Sequence, residues 1–320
     1  MEAGKALLLT AGLGTRLRPL TYTRAKAAVP VNGDPLARRI IRWLAGHGIR
    51  DFVLNLHHRP ATIASVVGDG SDLGVRVRYS WEQPVLGSAG GPRHALPLLC
   101  ERGEAPFLIV NGDTLTDVDI HDMLRAHVSS GALVTMALVP NPQPDKYGGV
   151  RVSADGRVSG FTRRGEDQRS FHFIGVQVAE PRAFAALEDG VPAESVGALY
   201  PRLIAQNSTN VAAFVCGASF QDIGTPRDYL ETSMALAEVE GHRLTSGARA
   251  SIANSAMITR TALWDDVAIG ADVVLTDCVV GDGVRIPDGA RYERCAIVRA
   301  DGRSPAAGER IEGDLLLHSW

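Results

Sequence analysis

The chain reads as an α/β protein: a mixed, mostly parallel sheet sandwiched by helices, followed by a short left-handed hexapeptide β-helix. Three observations predict this. Short apolar runs alternate with helical patterns over residues 5–139. Short β segments with turn residues between them follow Pro140. Beyond Arg243, small or aliphatic residues recur every six positions. Continuous apolar strands in β-α-β-α order imply a parallel sheet covered on both faces.

Lys5–Thr10 is a buried strand running into glycine-rich sequence. Leu36, Ile40, Ile41 and Leu44 share one helical face, and Gly46 and Gly48 stop that helix. Phe52–Leu56 is a strand, Ala61–Val67 a short helix, Val75–Ser80 an alternating strand and Ala89–Leu99 a helix. Phe107–Val110 is a buried strand that ends at Asn111-Gly112-Asp113. Ile120–Val128 is helical, with Asp119 placed to cap it, and Leu133–Val139 is a strand.

Gly148–Ser153, Arg157–Phe161 and Phe171–Val178 are the next strands, with Asp155-Gly156 as a hairpin turn. Pro181–Leu187 and Val196–Ala205 read as helical, and Val211–Cys216 and Ser219–Asp222 as strands. Pro226–Val239 is a helix with proline in its first turn. The six-residue period then sets in at Ala250, Ala256, Ala262 and Ala268, with a second row at Ile252, Ile258 and Trp264. It resumes after a one-residue slip at Cys278, Val284, Ala290 and Ala296. Small aliphatic residues stacked inward at this period predict a β-helix, of fewer than three coils at about 18 residues each.

At 320 residues the chain has length for two domains, expected at 1–243 and 244–320. The net charge of −3 argues against a nucleic-acid partner. The apolar run Ala6–Leu9 is too short for a signal segment or a membrane span, which predicts a cytoplasmic protein with no membrane partner. The four cysteines have no C-x-x-C spacing and read as reduced packing residues. Tyr22 and Trp81 read as packing residues too.

Leu9–Thr21 (LTAGLGTRLRPLT) carries the most chemistry. Glycines at a strand end let backbone N–H groups close around phosphate oxygens, and a following helix N-terminus would add partial positive charge. Arg16 and Arg18 add full charge. Leu17 stands where a dinucleotide fingerprint needs glycine, and no Gly-Lys-Ser/Thr follows.

The stretch resembles the A-G-G-x-G-[ST]-R-[LM]-x-P-L-T signature of the sugar-1-phosphate nucleotidyltransferases, matching it through Gly12-Leu13-Gly14-Thr15-Arg16 and Pro19-Leu20-Thr21. Further motifs follow in the family's order. Lys26 sits in a P-K-P-like block with alanine for both prolines, at Ala25 and Ala27. Leu86–Gly91 matches L-G-T-A-G, Asn111–Asp113 the strand-end aspartate, Tyr147–Val150 the Y-G block and Asp222–Pro226 D-I-G-T-P. The likeness covers about residues 1–240 and is nearest in look to the mannose-1-phosphate guanylyltransferases. It implies a Rossmann-like catalytic domain in which a sugar-phosphate oxygen attacks the α-phosphorus of an NTP and pyrophosphate leaves.

The resemblance implies Arg16 and Lys26 as catalytic cations and Mg²⁺ held by Asp113 and Asp222. It assigns Leu9, Ala11, Gly12, Gly14, Thr15, Arg16, Gln83, Gly87, Ser88, Ala89 and Asp113 to the nucleotide. It assigns Gly112, Tyr147, Gly148, Arg164 and Gly175 to the sugar phosphate. Two polyanions must meet, so the chemistry calls for neutralised charge and a fixed in-line geometry. Carboxylates at strand ends suit an oxygen-loving cation. Where the family often has F-x-E-K-P, the chain has Phe161-Thr162-Arg163-Arg164-Gly165, which implies altered sugar recognition.

The expected activity is guanylyl transfer to mannose 1-phosphate or a related sugar phosphate. The alternatives are uridylyl or thymidylyl transfer to glucose 1-phosphate, or a non-catalytic NDP-sugar-binding regulator. The β-helix holds no histidine between His242 and His318, which disfavours acyl transfer. Docking on the catalytic domain, and a homodimer through the tail, are the expected uses of its incompletely covered ends.

Overall fold

The computed structural model describes residues 4–101, 105–241 and 247–320. The chain forms two compact units. One takes in the chain up to Gly12 and Arg39–Gln221; the other joins Leu13–Arg38 to Asp222–Trp320. The segment 247–320 thus shares a unit with the loop that follows the first strand.

The first unit is a nine-stranded sheet with helices. Its strands are β1 (Lys5–Leu9), β2 (Asp51–Leu56), β3 (Arg76–Trp81), β4 (Phe107–Asn111), β5 (Val134–Pro140), β6 (Gly149–Val152), β7 (Val158–Thr162), β8 (Phe171–Ala179) and β9 (Val211–Val215). β1 lies between β2 and β4, parallel to both, and β2 is parallel to β3. β8 runs antiparallel to β4 and β5, and β9 parallel to β5. The β6–β7 hairpin turns at Asp155-Gly156, where Gly156 has φ +76°. Its core includes Leu7, Val53, Phe107, Ile109, Met136, Phe184 and Tyr200, from the sheet and the segments packed on it.

The helices are α1 (Leu36–Gly46), α2 (Pro60–Val67), α3 (Gly87–Leu99), α4 (Ile120–Ser130), α5 (Tyr200–Gln206) and α6 (Pro226–Val239), the last in the second unit. Asp119 caps α4 by accepting from the Asp122 N–H at 2.9 Å. The helix expected over 181–187 is only a 3₁₀ turn at Pro181–Ala183. Successive i→i+3 bonds, from Ala183 N to Glu180 O and from Phe184 N to Pro181 O, tighten it. Pro181, Ala183 and Phe184 are all buried, a spacing that a three-residue turn serves.

Trp81, expected to pack, is 63% exposed. It ends β3, which is a sheet edge, and strand alternation turns its neighbours Ser80 and Glu82 inward instead.

In the second unit, Ser251, Ala268 and Arg285 stack in parallel register, as do Met257, Val274 and Arg291, and Ala262, Val279 and Ala296. Equivalent residues are 17 apart, not 18. The slip seen in the sequence therefore belongs to every coil. Ala256, Cys278, Val284 and Ala290 of the expected inward row belong to the core, whereas on the third side Leu263, Val280 and Ile297 fill the interior in place of Ala262 and Ala296. Arg249, Asp266 and Gly283 take up the same left-handed corner on successive coils, at φ +59°, +59° and +64°. The final coil is completed by the chain itself: Leu315–Ser319 pairs antiparallel with Cys295–Arg299 and adds Leu315 and Leu317 to the core.

Candidate active site

The parallel strands of the first unit carry their loops at the C-terminal end, the usual place for ligands in such sheets. β1 ends at Leu9, paired with Asn111 at the end of β4. The Gly112 N–H donates to the Leu9 carbonyl at 3.0 Å, and a Cβ on Gly112 would lie 2.7 Å from that oxygen. Only glycine fits this crossing. On the other side of β4, a Cβ on Gly175 would lie 2.9 Å from Asn111 Nδ2, and Gly175 has φ +78°. Leu9, Asn111, Gly112 and Gly175 thus form one ledge, and half-buried Asp113 follows directly.

A buried relay that sequence reasoning missed ties two loops of this unit. Asn55 Oδ1 accepts from the N–H groups of Thr10 and Ala11. Asn55 Nδ2 donates to Glu82 Oε1 at 2.7 Å, and Glu82 Oε2 accepts from the Leu86 N–H at 2.9 Å. Both side chains are 3% exposed. The chain leaving β1 and the Gln83–Gly87 loop are therefore set by one network. A Cβ on Gly91 would lie 2.6 Å from Glu82 Oε1, which explains the second glycine of the Ala-Gly-Gly run. The available signal was a polar Asn inside the apolar strand FVLNL.

Gln83 is exposed beside this network. Gly87 opens α3 with φ +76°, and a Cβ there would lie 2.7 Å from Glu194 Oε1. The Ser88 hydroxyl donates to Glu194 Oε2 at 2.7 Å and accepts from the Ser195 N–H at 2.9 Å. The N–H groups of Ala89 and Gly90 donate to the Ala193 carbonyl. Ser88 and Ala89, expected at the nucleotide, thus hold the 193–195 segment onto the helix start.

Tyr147 lies 4.3 Å from the ring of His172, which lies 4.7 Å from that of Phe220. His172 Nδ1 is buried with no hydrogen-bond partner, and burial lowers its pKa to about 4. Gly148 is exposed beside Tyr147. Arg164 is exposed on the turn after β7, where the Arg163 N–H donates to Glu166.

In the second unit, Gly14 has φ +61°, and a Cβ there would lie 2.7 Å from Thr21 Cγ2 and 3.4 Å from Lys26 Cβ. The glycine brings the loop against the lysine. Thr15 follows Gly14 and is exposed, and Gly12, which belongs to the first unit, is exposed as well. The helix expected after this loop is absent: Thr15–Leu17 is a three-residue 3₁₀ turn. So short a turn has little macrodipole, so positive charge here comes from the Arg16 and Arg18 side chains.

Each residue of Asp222–Pro226 has a distinct task. Ile223 is fully buried and anchors the segment. Thr225 caps α6 by accepting from the Asp228 N–H at 3.1 Å, Asp228 caps it in return, and Pro226 occupies the first turn. A Cβ on Gly224 would lie 3.2 Å from Asp222 Oδ2 and 3.3 Å from Arg16 Nη1. Arg16, Asp222 and the helix start therefore converge on a glycine that leaves room for them. Asp113 belongs to the first unit and Asp222 to the second.

A nucleotidyl transferase family model matches residues 5–239. The chain is 30% identical over 300 residues to the mannose-1-phosphate guanylyltransferase of Mycobacterium tuberculosis, spanning 90% of this chain and 83% of that one. It is 37% identical over 206 residues to the N-acetylmuramate alpha-1-phosphate uridylyltransferase of Neisseria meningitidis, spanning 62% of this chain and 83% of that one. HddC from Yersinia pseudotuberculosis shares the fold, with a TM-score of 0.63 at 22% identity, over 72% of this chain and 99% of that one. With the glycine loop, the strand-end aspartates and α6 all inside the matched residues, the chain belongs to the nucleotidyl transferase family.

Proposed function

We propose that the protein transfers a nucleotidyl group from an NTP to a sugar 1-phosphate, with GTP and mannose 1-phosphate or a related sugar phosphate as substrates. The observation that carries this is the convergence of Arg16 and Asp222 on Gly224. It sets a cation and a carboxylate side by side, as a reaction between two polyanions requires. The sugar-phosphate oxygen bonds to the α-phosphorus, the bond to the β-phosphate oxygen breaks, and pyrophosphate carries the charge away. Arg16 stabilises that charge, and Lys26 neutralises phosphate beside the reacting centre.

Asp113 and Asp222 would hold Mg²⁺. Carboxylate oxygens are the right donors for Mg²⁺, which keeps waters and takes substrate phosphates as further ligands. When bound, the ion neutralises phosphate charge and aligns the reacting groups.

Leu9, Ala11, Gly12, Gly14 and Thr15 take the nucleotide's phosphate side, and Gln83 and Gly87 its base side, with Ser88 and Ala89 shaping that loop. Gly112, Tyr147, Gly148, Arg164 and Gly175 take the sugar phosphate. The catalytic domain is assigned to residues 1–243 and the β-helix tail to 244–320, with the tail offered as a homodimer surface. A cytoplasmic location fits four unbridged cysteines.

A second reading, uridylyl transfer, is favoured by the Neisseria relative, whose name specifies a uridylyltransferase. The test is a matrix of NTPs against sugar 1-phosphates with Mg²⁺, read as pyrophosphate release. Release confined to GTP with mannose 1-phosphate or a near analogue supports the first reading. Release confined to UTP supports the second, and none with any pair, in the presence of nucleotide-sugar binding, supports a regulatory protein.

A further inference from the structure

We propose that Arg24 is a positioning residue through which the β-helix holds Lys26 in place; this rests on the catalytic reading of Lys26. Arg24 lies two residues before the lysine and is only 14% exposed. Its Nε donates to Asp282 Oδ2 at 2.6 Å, and its Nη2 to Asp265 Oδ2 at 2.6 Å and Asp282 Oδ1 at 2.7 Å. Its guanidinium also lies 5.5 Å from the ring centre of Trp264. Asp265 and Asp282 are 17 residues apart, so they occupy one position on successive coils. Two carboxylates stacked in this way repel, and a planar fork with several donors can neutralise both.

The other side of the lysine is held as well. The Tyr229 hydroxyl donates to the Pro30 carbonyl and accepts from Trp264 Nε1 at 2.8 Å. The stretch from Arg24 to Pro30 is thus fastened at both ends to Trp264 and its neighbours. Between them Ala25, Ala27, Ala28 and Val29 are buried, and half-buried Lys26 emerges beside Gly14.

The related motif carries proline on both sides of its lysine, and this chain carries Ala25 and Ala27. Proline would limit the backbone covalently. Ala25 nonetheless adopts φ −58° and ψ 148°, values a proline would impose. Here contacts from the tail do what the missing rings would do. The tail thereby sets where a reacting-site cation stands.

The test is a double-mutant cycle on kcat in the full chain. Arg24→Met should lower kcat about tenfold, since small misplacements of a catalytic group are costly. In a Lys26→Gln background the same change should cost less than about twofold, because both act through one group. D265N/D282N, which breaks the clasp from the tail side, should repeat this pattern and serves if Arg24→Met does not fold. A tenfold loss in both backgrounds, or no loss in the wild-type background, overturns the proposal while leaving the role of Lys26 intact. Full kcat in Lys26→Gln alone overturns the reading of Lys26 and this proposal with it.

Discussion

Arg16 and Asp222, 206 positions apart in the chain, approach the same point above Gly224, within 3.3 Å of where its Cβ would stand. A side chain on the residue between them would crowd both groups.

Gly224→Ala is therefore a test of the site's geometry rather than of its groups. The added methyl has to move Asp222, Arg16 or Asp228 by a few tenths of an ångström. We expect kcat to fall about tenfold, with the unfolding free energy changed by less than about 1 kcal/mol. Wild-type turnover in this variant would show that the convergence is incidental.

Arg16→Ala should lower kcat by about a hundredfold and leave the KM for NTP nearly unchanged, because charge grows on pyrophosphate only as it departs. Asp113→Ala and Asp222→Ala should each cost at least about a hundredfold in kcat with Mg²⁺. A change confined to KM would make Arg16 a binding residue. Near-normal rates in both aspartate variants would remove them as metal ligands.

Glu82→Ala should act on stability and on nucleotide binding together. It strands the Asn55 amide and the Leu86 N–H in a buried network, a loss of at least about 2 kcal/mol. It also releases the Gln83–Gly87 loop, so the KM for NTP should rise more than kcat falls. Urea unfolding and NTP titration on one preparation measure both, and an unchanged KM would confine Glu82 to a packing role.

His172 predicts a pH dependence of stability. Its pKa in the fold is about 4 because burial disfavours the imidazolium, against an ordinary value of 6.5. Between those values the unfolded chain binds a proton that the folded chain refuses, so stability rises with pH there. The contribution is complete above about pH 6.5 and lost as pH falls through about 4. His127, also held low by burial, works in the same direction. His172→Phe should flatten the curve in this window by up to one proton. A curve as steep as the wild type's would place the titration elsewhere.

Much of the architecture was legible in the residues alone. The alternation from Lys5 to Val139 implied the parallel sheet, Asp119 and Pro226 announced helix starts, and Gly14 marked a loop built for close approach. These signals are local: periodicity, capping and glycine follow from the conformations that a few neighbouring residues can adopt. Tertiary packing decided the rest. Asn55 stands out as a polar residue inside an apolar strand, but its sequence neighbours do not name Glu82 as its partner, because a buried polar pair is defined by its partner and the absence of water. The 17-residue coil looked like a six-residue period with a slip, since the corners that shorten it are made by stacking one coil on the next. Arg24 carries no signal of its role in the sequence for the same reason: its two carboxylate partners lie 241 and 258 residues away, and only the folded chain brings them within 2.6 Å.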